Sequence, residues 1–225
     1  MTEHIEEPLA LKYANQGNGP LLDLMPPGKL RVLDVGCGAG DNARLLTQRG
    51  CSVVGITASS DEAAAAGRVC ERVVLVDLDA EGDDSPELGR FDVLLFSHVL
   101  EHLRDPAKVI SRLAKYLVIG GHCLIAVPNM GHWRVRLKIL RGDWSRQDTG
   151  AFNRTHLQFW SMLTATSILD GTPFELVKVE GANHGFPLFP LRRIAPKLCG
   201  KIDSAAGTVI PNFTAGQILL VAVLR

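Results

Sequence analysis

No run of apolar residues in this chain is long enough to span a bilayer, which argues against a membrane-embedded helix. Between Met1 and Pro20 there is no apolar block after a basic start; Glu3, Glu6 and Glu7 stand there instead, so no secretory leader is expected. Charge of one sign is not in excess: 24 Lys and Arg face 24 Asp and Glu, and a formal net charge of +0 offers no global field to draw the chain onto nucleic acid. Cysteine is sparse and unpatterned. Cys37, Cys51, Cys70, Cys123 and Cys199 make an odd number with no C-x-x-C pair and no histidine at finger spacing. That excludes a disulfide scaffold and a zinc finger; reduced core thiols in a cytoplasmic protein, and no metal, are the expectation. Internal repeats and low-complexity segments are absent too.

What remains is an ordinary globular composition, 46% hydrophobic and 21% charged over 225 residues. A chain of 24.4 kDa fits one domain, residues 1–225, with a substantial core. Its strongest local signal is Arg31-Val32-Leu33-Asp34-Val35-Gly36-Cys37-Gly38-Ala39-Gly40. Val32, Leu33 and Val35 form the short apolar run of a buried parallel strand, and three glycines at alternate positions end it and let backbone approach a ligand. Asp41 to Arg49 then reads as a helix whose amino end faces that ligand. The spacing is Asp-x-Gly-x-Gly-x-Gly, not the G-x-G-x-x-G of dinucleotide folds. A carboxylate before the glycines suits a cationic ligand and would repel a pyrophosphate, which disfavours a nicotinamide-dependent oxidoreductase.

Downstream the chain alternates. Cys51 to Ile56 reads as a second strand and Ser59 to Arg68 as a helix capped by Ser59 or Ser60. Arg72 to Val76 reads as a third strand ending at Asp77, and Phe91 to Ser97 as a continuous apolar fourth. Pro106 to Val118 is amphipathic, with Val109, Ile110, Leu113 and Leu117 on one face, and Gly120-Gly121 turns the chain into a fifth strand, Cys123 to Val127. Such alternation predicts βαβ units and right-handed crossovers. Beyond Pro128 come an Arg- and Trp-rich insertion (131–150), a helix over 161–169, a strand over 174–179 and a last apolar strand, Gln217 to Leu224. Residues 5–24 read as an amphipathic lead-in or lid, and 77–90 as an acidic surface loop.

The opening motif resembles motif I of the class I S-adenosylmethionine-dependent methyltransferases. The resemblance extends over about residues 30–180: Val76-Asp77-Leu78, the Phe91-Asp92 to Leu100-Glu101-His102-Leu103 segment with its L-E-H, Asp105-Pro106, Gly120-Gly121 and Val127-Pro128-Asn129 all match the family's order. It implies an α/β fold, a single Rossmann-like doubly wound seven-stranded sheet, mostly parallel with an antiparallel last strand. A lead-in over 1–29, a cofactor-binding core over 30–128 and substrate-cover insertions over 129–160 and 184–213 complete the expected layout. It implies S-adenosylmethionine as cofactor and S-adenosylhomocysteine as product. Asp34, Gly36, Cys37, Gly38 and Gly40 would hold the methionine part, Thr57 the ribose, Asp77 and Leu78 the adenine, and Ser97 with His98 the reactive centre. Pro128 to Leu137 looks like a methionine-biosynthesis (MetW-like) branch. Asn153 to Trp160 is similar to a segment of bacterial small-molecule and sugar O-methyltransferases. One departure stands out: Thr57 occupies the position where the family usually has an acid gripping both ribose hydroxyls, and Asp61 or a nearby serine is the candidate to compensate.

Methyl transfer is an in-line displacement that asks the protein to align reactants and exclude water, with a base needed only if the acceptor keeps its proton. His98, His102 and His156 are the catalytic candidates, His156 first and His102 more as a shaper of the pocket. His132, Trp133, Arg134, Asn153 and Arg154 are the substrate-binding candidates. Arg134, Arg136, Lys138, Arg141, Arg146 and Arg154 against only Asp143 and Asp148 suit an anionic or carrier-linked acceptor, not nucleic acid. Residues 184–210, with several prolines and a basic character, read as a substrate cover, a homodimer contact or a weak membrane-surface helix; the proline spacing argues against one long amphipathic helix and favours the first two. The expected function is transfer of a methyl group to an oxygen of a small-molecule acceptor; the rival is a non-catalytic accessory protein on the same fold.

Overall fold

The structure, a computed structural model, describes residues 16–80, 87–188 and 191–225. Most of the lead-in and the centre of the acidic loop lie outside the described residues.

The chain runs α1 (Gly19–Leu22), β1 (Arg31–Val35), α2 (Asp41–Gln48), β2 (Ser52–Thr57), α3 (Ser60–Ala66), β3 (Arg72–Leu75), β4 (Phe91–Ser97), α4 (Pro106–Leu113), β5 (Leu117–Pro128) and α5 (Trp133–Leu140). It closes with β6 (Phe174–His184), α6 (Leu191–Ile194), α7 (Pro196–Val209), α8 (Pro211–Thr214) and β7 (Ala215–Leu224). Seven strands form one sheet in the order β3-β2-β1-β4-β5-β7-β6. The pairs among β1 to β5 are parallel, as the strand and helix alternation implied, and β7 runs antiparallel to both β5 and β6, as the family resemblance implied.

Both faces of the sheet are covered, which explains why β1 and β4 are apolar without alternation. Leu33, Val35, Leu94 and Phe96 pack into one core and Val32, Val93 and Leu95 into the other. Strand order reverses between β1 and β4, and a ligand crevice belongs at the carboxyl ends of the strands there.

Four boundaries differ from the sequence expectation. The helix expected over 106–118 stops at Leu113, gives a single 3-10 turn (Ala114–Tyr116) and passes straight into β5 at Leu117. Gly120-Gly121 therefore lies inside β5, not before it, at an irregularity where the register jumps from Phe91↔Leu117 to Val93↔His122. The helix expected over 161–169 is only a 3-10 turn, Ala165–Leu169. β6 continues past Val179 to His184, paired along β7. The 184–210 stretch agrees with the expectation that no one helix runs through it: α6 ends at Ile194, and Pro196 and Pro211 open α7 and α8 in their first turns, where a missing N–H costs nothing.

Among the described residues no helix is long and apolar enough to cross a membrane. All five cysteines are free and buried.

Candidate active site

A cavity of about 650 Å³ opens at the carboxyl ends of β1, β2 and β4 and along the segment that follows β3. The glycine loop after β1 forms one wall with Gly36, Cys37 and Gly38. Gly36 sits at φ +71, and a Cβ there would run into the side chain of Val99, so the loop keeps its path only with glycine. The Cys37 thiol is held far above its ordinary pKa by its contact with Cys70 and by burial, which makes it an inert part of the wall.

Two residues expected to touch the cofactor do not line the cavity. Gly40 caps α2 at φ +87, where a Cβ would lie 2.7 Å from Cγ2 of Val69; its smallness serves the packing of the helix. Asp34 is fully buried, at 0% exposure, in β1 one residue from its end. Neither of its carboxylate oxygens reaches a donor at hydrogen-bonding distance. Burial pushes its carboxyl up to about 7, and the Asn42 side chain pulls it only partly back.

At the tip of β2, Thr57 lines the cavity as expected, but its hydroxyl is engaged. It donates to Oε2 of Glu62 at 2.9 Å and accepts from the N–H of Ser59 at 3.3 Å. Glu62, also in the cavity wall, is only 9% exposed. After β3 come Val76, Asp77, Leu78 and Asp79, with Oδ1 of Asp77 accepting the N–H of Asp79 at 3.0 Å.

The tip of β4 supplies Ser97, His98 and Val99. His98 adopts φ 58, and the only other non-glycine residue at positive φ among the described residues, Asn183 at φ 56, lines the same cavity. Strain of this kind concentrates where surrounding contacts dictate a side chain's direction. Nδ1 of His98 faces Oε1 of Glu101 at 3.2 Å and Nε2 faces Oε1 of Gln217 at 2.9 Å. Burial disfavours the charged ring, but the Glu101 carboxylate and Gln217 outweigh it and hold the imidazole above its ordinary value. Although packed among protein atoms, His98 still shows 42% of its side chain, the part turned to the cavity. Gln217 in turn exchanges two hydrogen bonds with Asn18, at 2.9 and 3.1 Å, and Asn18 donates to Ser97 at 3.3 Å.

A second chamber, about 740 Å³, shares His98 and His102 with the first. Its walls include Glu101, His132, Arg134, Lys138, Asn153 and His156. The segment carrying His156 is clamped to the L-E-H turn because the N–H groups of Leu157 and Gln158 both donate to the Glu101 carbonyl, at 2.7 and 3.1 Å. His102 and His156 thereby meet edge to face, 4.8 Å between centroids. Nδ1 of His156 lies 3.2 Å from the Ala151 carbonyl, so in the neutral ring the lone pair is on Nε2. Burial keeps this imidazole below its ordinary pKa against the pull of Glu101. Glu101, His102 and His156 offer ligand-type atoms within 4.8 Å of one another, the one such group with metal-like spacing among the described residues, where the sequence pattern suggested none.

The remaining substrate candidates divide. His132 and Arg134 stand on the chamber wall. Trp133 instead lines a smaller pocket of about 390 Å³ and donates to the Gly185 carbonyl at 2.6 Å. Asn153 faces the chamber, but its side chain is spent on its own turn, through Asp148 and Thr155. Arg154 is exposed, pairs with Asp148 at 3.2 Å and lines neither cavity. The basic segment is largely consumed internally: Arg136 by the Gly131 carbonyl, Arg146 by those of Asn153 and His156, Lys138 by Ser145 and Asp143.

Asn18, Asn42, Glu62, Asn183 and Gln217 are cavity residues that sequence reasoning missed. Only Glu62 left a local trace, the Ser59-x-x-Glu62 pattern of a helix start.

A model of the methyltransferase domain matches residues 3–179. A ubiquinone biosynthesis O-methyltransferase of Psychrobacter arcticus is 31% identical over 131 residues, 56% of this chain and 51% of that protein. The chain thus spans about half the length of that relative. The protein of that name from Serratia proteamaculans is 25% identical over 187 residues, covering 80% of this chain and 74% of its own. Among solved structures, an S-adenosylmethionine-dependent methyltransferase from Mesorhizobium loti superposes with a TM-score of 0.60 at 20% identity, covering 91% of this chain and 95% of the other.

Proposed function

The chain belongs to the methyltransferase-domain family, and from that premise we propose that it transfers the methyl group of S-adenosylmethionine to an oxygen of a small-molecule acceptor. The observation that carries this reading is a pair of chambers with a shared wall: one built on the glycine loop and strand tips, the other on the L-E-H turn and the His156 segment, with His98 and His102 between them.

The first chamber fits the cofactor. Its glycine loop lines the chamber on a path that only glycine keeps at Gly36, and the Asp34 carboxylate buried behind that loop favours a cation near it. Its volume lies within the usual range for small-molecule sites. Gly36, Cys37 and Gly38 would hold the amino-acid end, the Thr57 tip the ribose, and Asp77 with Leu78 the adenine. When bound, the cofactor supplies a methyl group activated by a cationic sulfur.

The chain's own residues do the rest. His98, held at both ring nitrogens, fixes the partition between the chambers and presents a polar edge to each. His156, neutral and with Nδ1 committed to a carbonyl, offers Nε2 as the atom that takes a hydroxyl proton from an acceptor in the second chamber. Residues 129–160 roof that chamber and exclude water. Arg134, stacked on Trp133, supports an anionic group on the acceptor. The names of the relatives support oxygen as the acceptor atom. Five free, buried cysteines support the reducing environment of the cytoplasm.

The test is single-turnover methyl transfer with acceptors drawn from phenols and carboxylated phenols. His156→Ala is expected to slow the step by about 100-fold or more, the usual contribution of a positioned base, with S-adenosylhomocysteine affinity unchanged. Treatment with EDTA is expected to leave the rate as it was. Loss of activity on chelation would instead assign Glu101, His102 and His156 to a metal ion, and an unchanged rate in His156→Ala would remove the base.

A further inference from the structure

We infer that Glu62, on the first turn of α3, is the carboxylate that takes the ribose hydroxyls of the nucleoside, in place of an acid at the tip of β2. The inference rests on the cofactor reading above and concerns how this chain carries it out.

A sugar diol presents two O–H donors close together, and a carboxylate, with about four lone-pair sites on two oxygens, meets both. Thr57 cannot. Its one hydroxyl proton already goes to Glu62 at 2.9 Å, and its oxygen already accepts the N–H of Ser59 at 3.3 Å. The same two bonds explain what becomes of Glu62. In an S-x-x-E helix start, the glutamate usually folds back to cap the N–H of the first serine. Here Ser59 does its half, its Oγ accepting the Glu62 N–H at 3.3 Å, but Thr57 has taken the Ser59 N–H. The glutamate is released from that duty and swings to the cavity with Oε2 steadied by the threonine.

Its second oxygen is the unexplained group. Among the described residues no donor and no cation reaches Oε1, although the side chain is only 9% exposed and stands in the cavity wall. That oxygen keeps access to the opening its side chain lines, the cofactor chamber, and is free for donors that enter there. Its place there is also right: β2 lies between β1, whose loop would seat the amino-acid end, and β3, whose following segment would seat the base. The sugar joins those two ends.

The test uses the whole chain and calorimetric binding of S-adenosylhomocysteine and its 2′-deoxyribose analogue, so that no turnover is involved. Wild type is expected to prefer the ribose compound by about 10-fold or more, the usual worth of a hydrogen bond to a charged group. In Glu62→Gln, affinity for the ribose compound falls by about 10-fold and most of the preference disappears. The double variant Thr57→Asp with Glu62→Ala, which moves the acid to the β2 tip, regains the preference even if the single variant folds poorly. Equal binding of the ribose compound by wild type and Glu62→Gln overturns the assignment alone, as does a double variant that folds but shows no preference. Failure of wild type to bind S-adenosylhomocysteine overturns the cofactor reading and this inference with it.

Discussion

The Asp34 carboxyl is wholly enclosed and, with only the Asn42 side chain to oppose the effect of burial, has its pKa raised to about 7, so its charge is a burden in the folded chain. Its proton is released in the unfolded chain above about pH 4 but is retained in the folded chain up to about pH 7. Over that window the folded state binds more protons, so stability falls as pH rises, and the loss levels off above pH 7. Asp34→Asn cannot ionise. Its melting temperature is therefore expected to match wild type near pH 4 and to exceed it progressively up to pH 7 and beyond, by a stability difference of about 4 kcal/mol, three pKa units at 1.36 each. Thermal melts across pH 4–9 check this, and a constant gap would remove the link to ionisation. At this scale the glycine loop and strand tips named from the sequence stand around one cavity, while Asp34 and Gly40 do not line it. Gly36 and Gly38 were legible because alternate glycines after an apolar run have few other uses. Asp34 and Gly40 belong to the same motif, but whether a motif residue faces ligand or core is a matter of a single backbone rotation, which spacing does not encode. Glu62 was hidden by the capping pattern it shares with countless helix starts.

Elements were legible where local chemistry and tertiary packing agree. α3 begins where Ser59 says it should, with Oγ of Ser59 accepting the Glu62 N–H. Ser59→Ala removes that cap and is expected to cost about 1 kcal/mol, while Ser59→Gly costs only a few tenths, measurable in urea unfolding as a shifted midpoint with an unchanged slope. Because Glu62 rides on the same turn, Ser59→Ala is also expected to weaken S-adenosylhomocysteine binding more than its stability cost alone explains. An alanine variant as stable as wild type would show that the helix start is held by other contacts. Boundaries failed where packing overrode local preference. Gly120-Gly121 reads as a turn, yet β4 and β7 supply partners on both sides and draw the chain into the sheet around it.

At the scale of the whole molecule, alternation of strand and helix patterns was enough to imply the parallel sheet and, with the resemblance, its antiparallel last strand. It could not show that the two ends of the described chain meet over the cavity. Asn18 and Gln217, 199 residues apart, exchange reciprocal amide hydrogen bonds at 2.9 and 3.1 Å, and Gln217 also meets Nε2 of His98 at 2.9 Å. Asn18 is fixed from its other side too, its N–H donating to Asn42 at 2.8 Å and its Oδ1 accepting from Leu21. This network ties α1, the tip of β4 and β7 into one wall, so loosening it should be felt at all three. Gln217→Leu keeps the bulk but leaves Asn18 and His98 each short of a partner in a largely buried place, a cost of about 1–3 kcal/mol. The expected result is a lower melting temperature and faster protease cleavage ahead of α1, with S-adenosylhomocysteine restoring part of the protection because ligand binds only the folded chain. Cleavage ahead of α1 at the wild-type rate would mean that the packing of Leu21 and Leu22, both buried to 1% exposure or less, holds the entry to the fold without help from the far end of the chain.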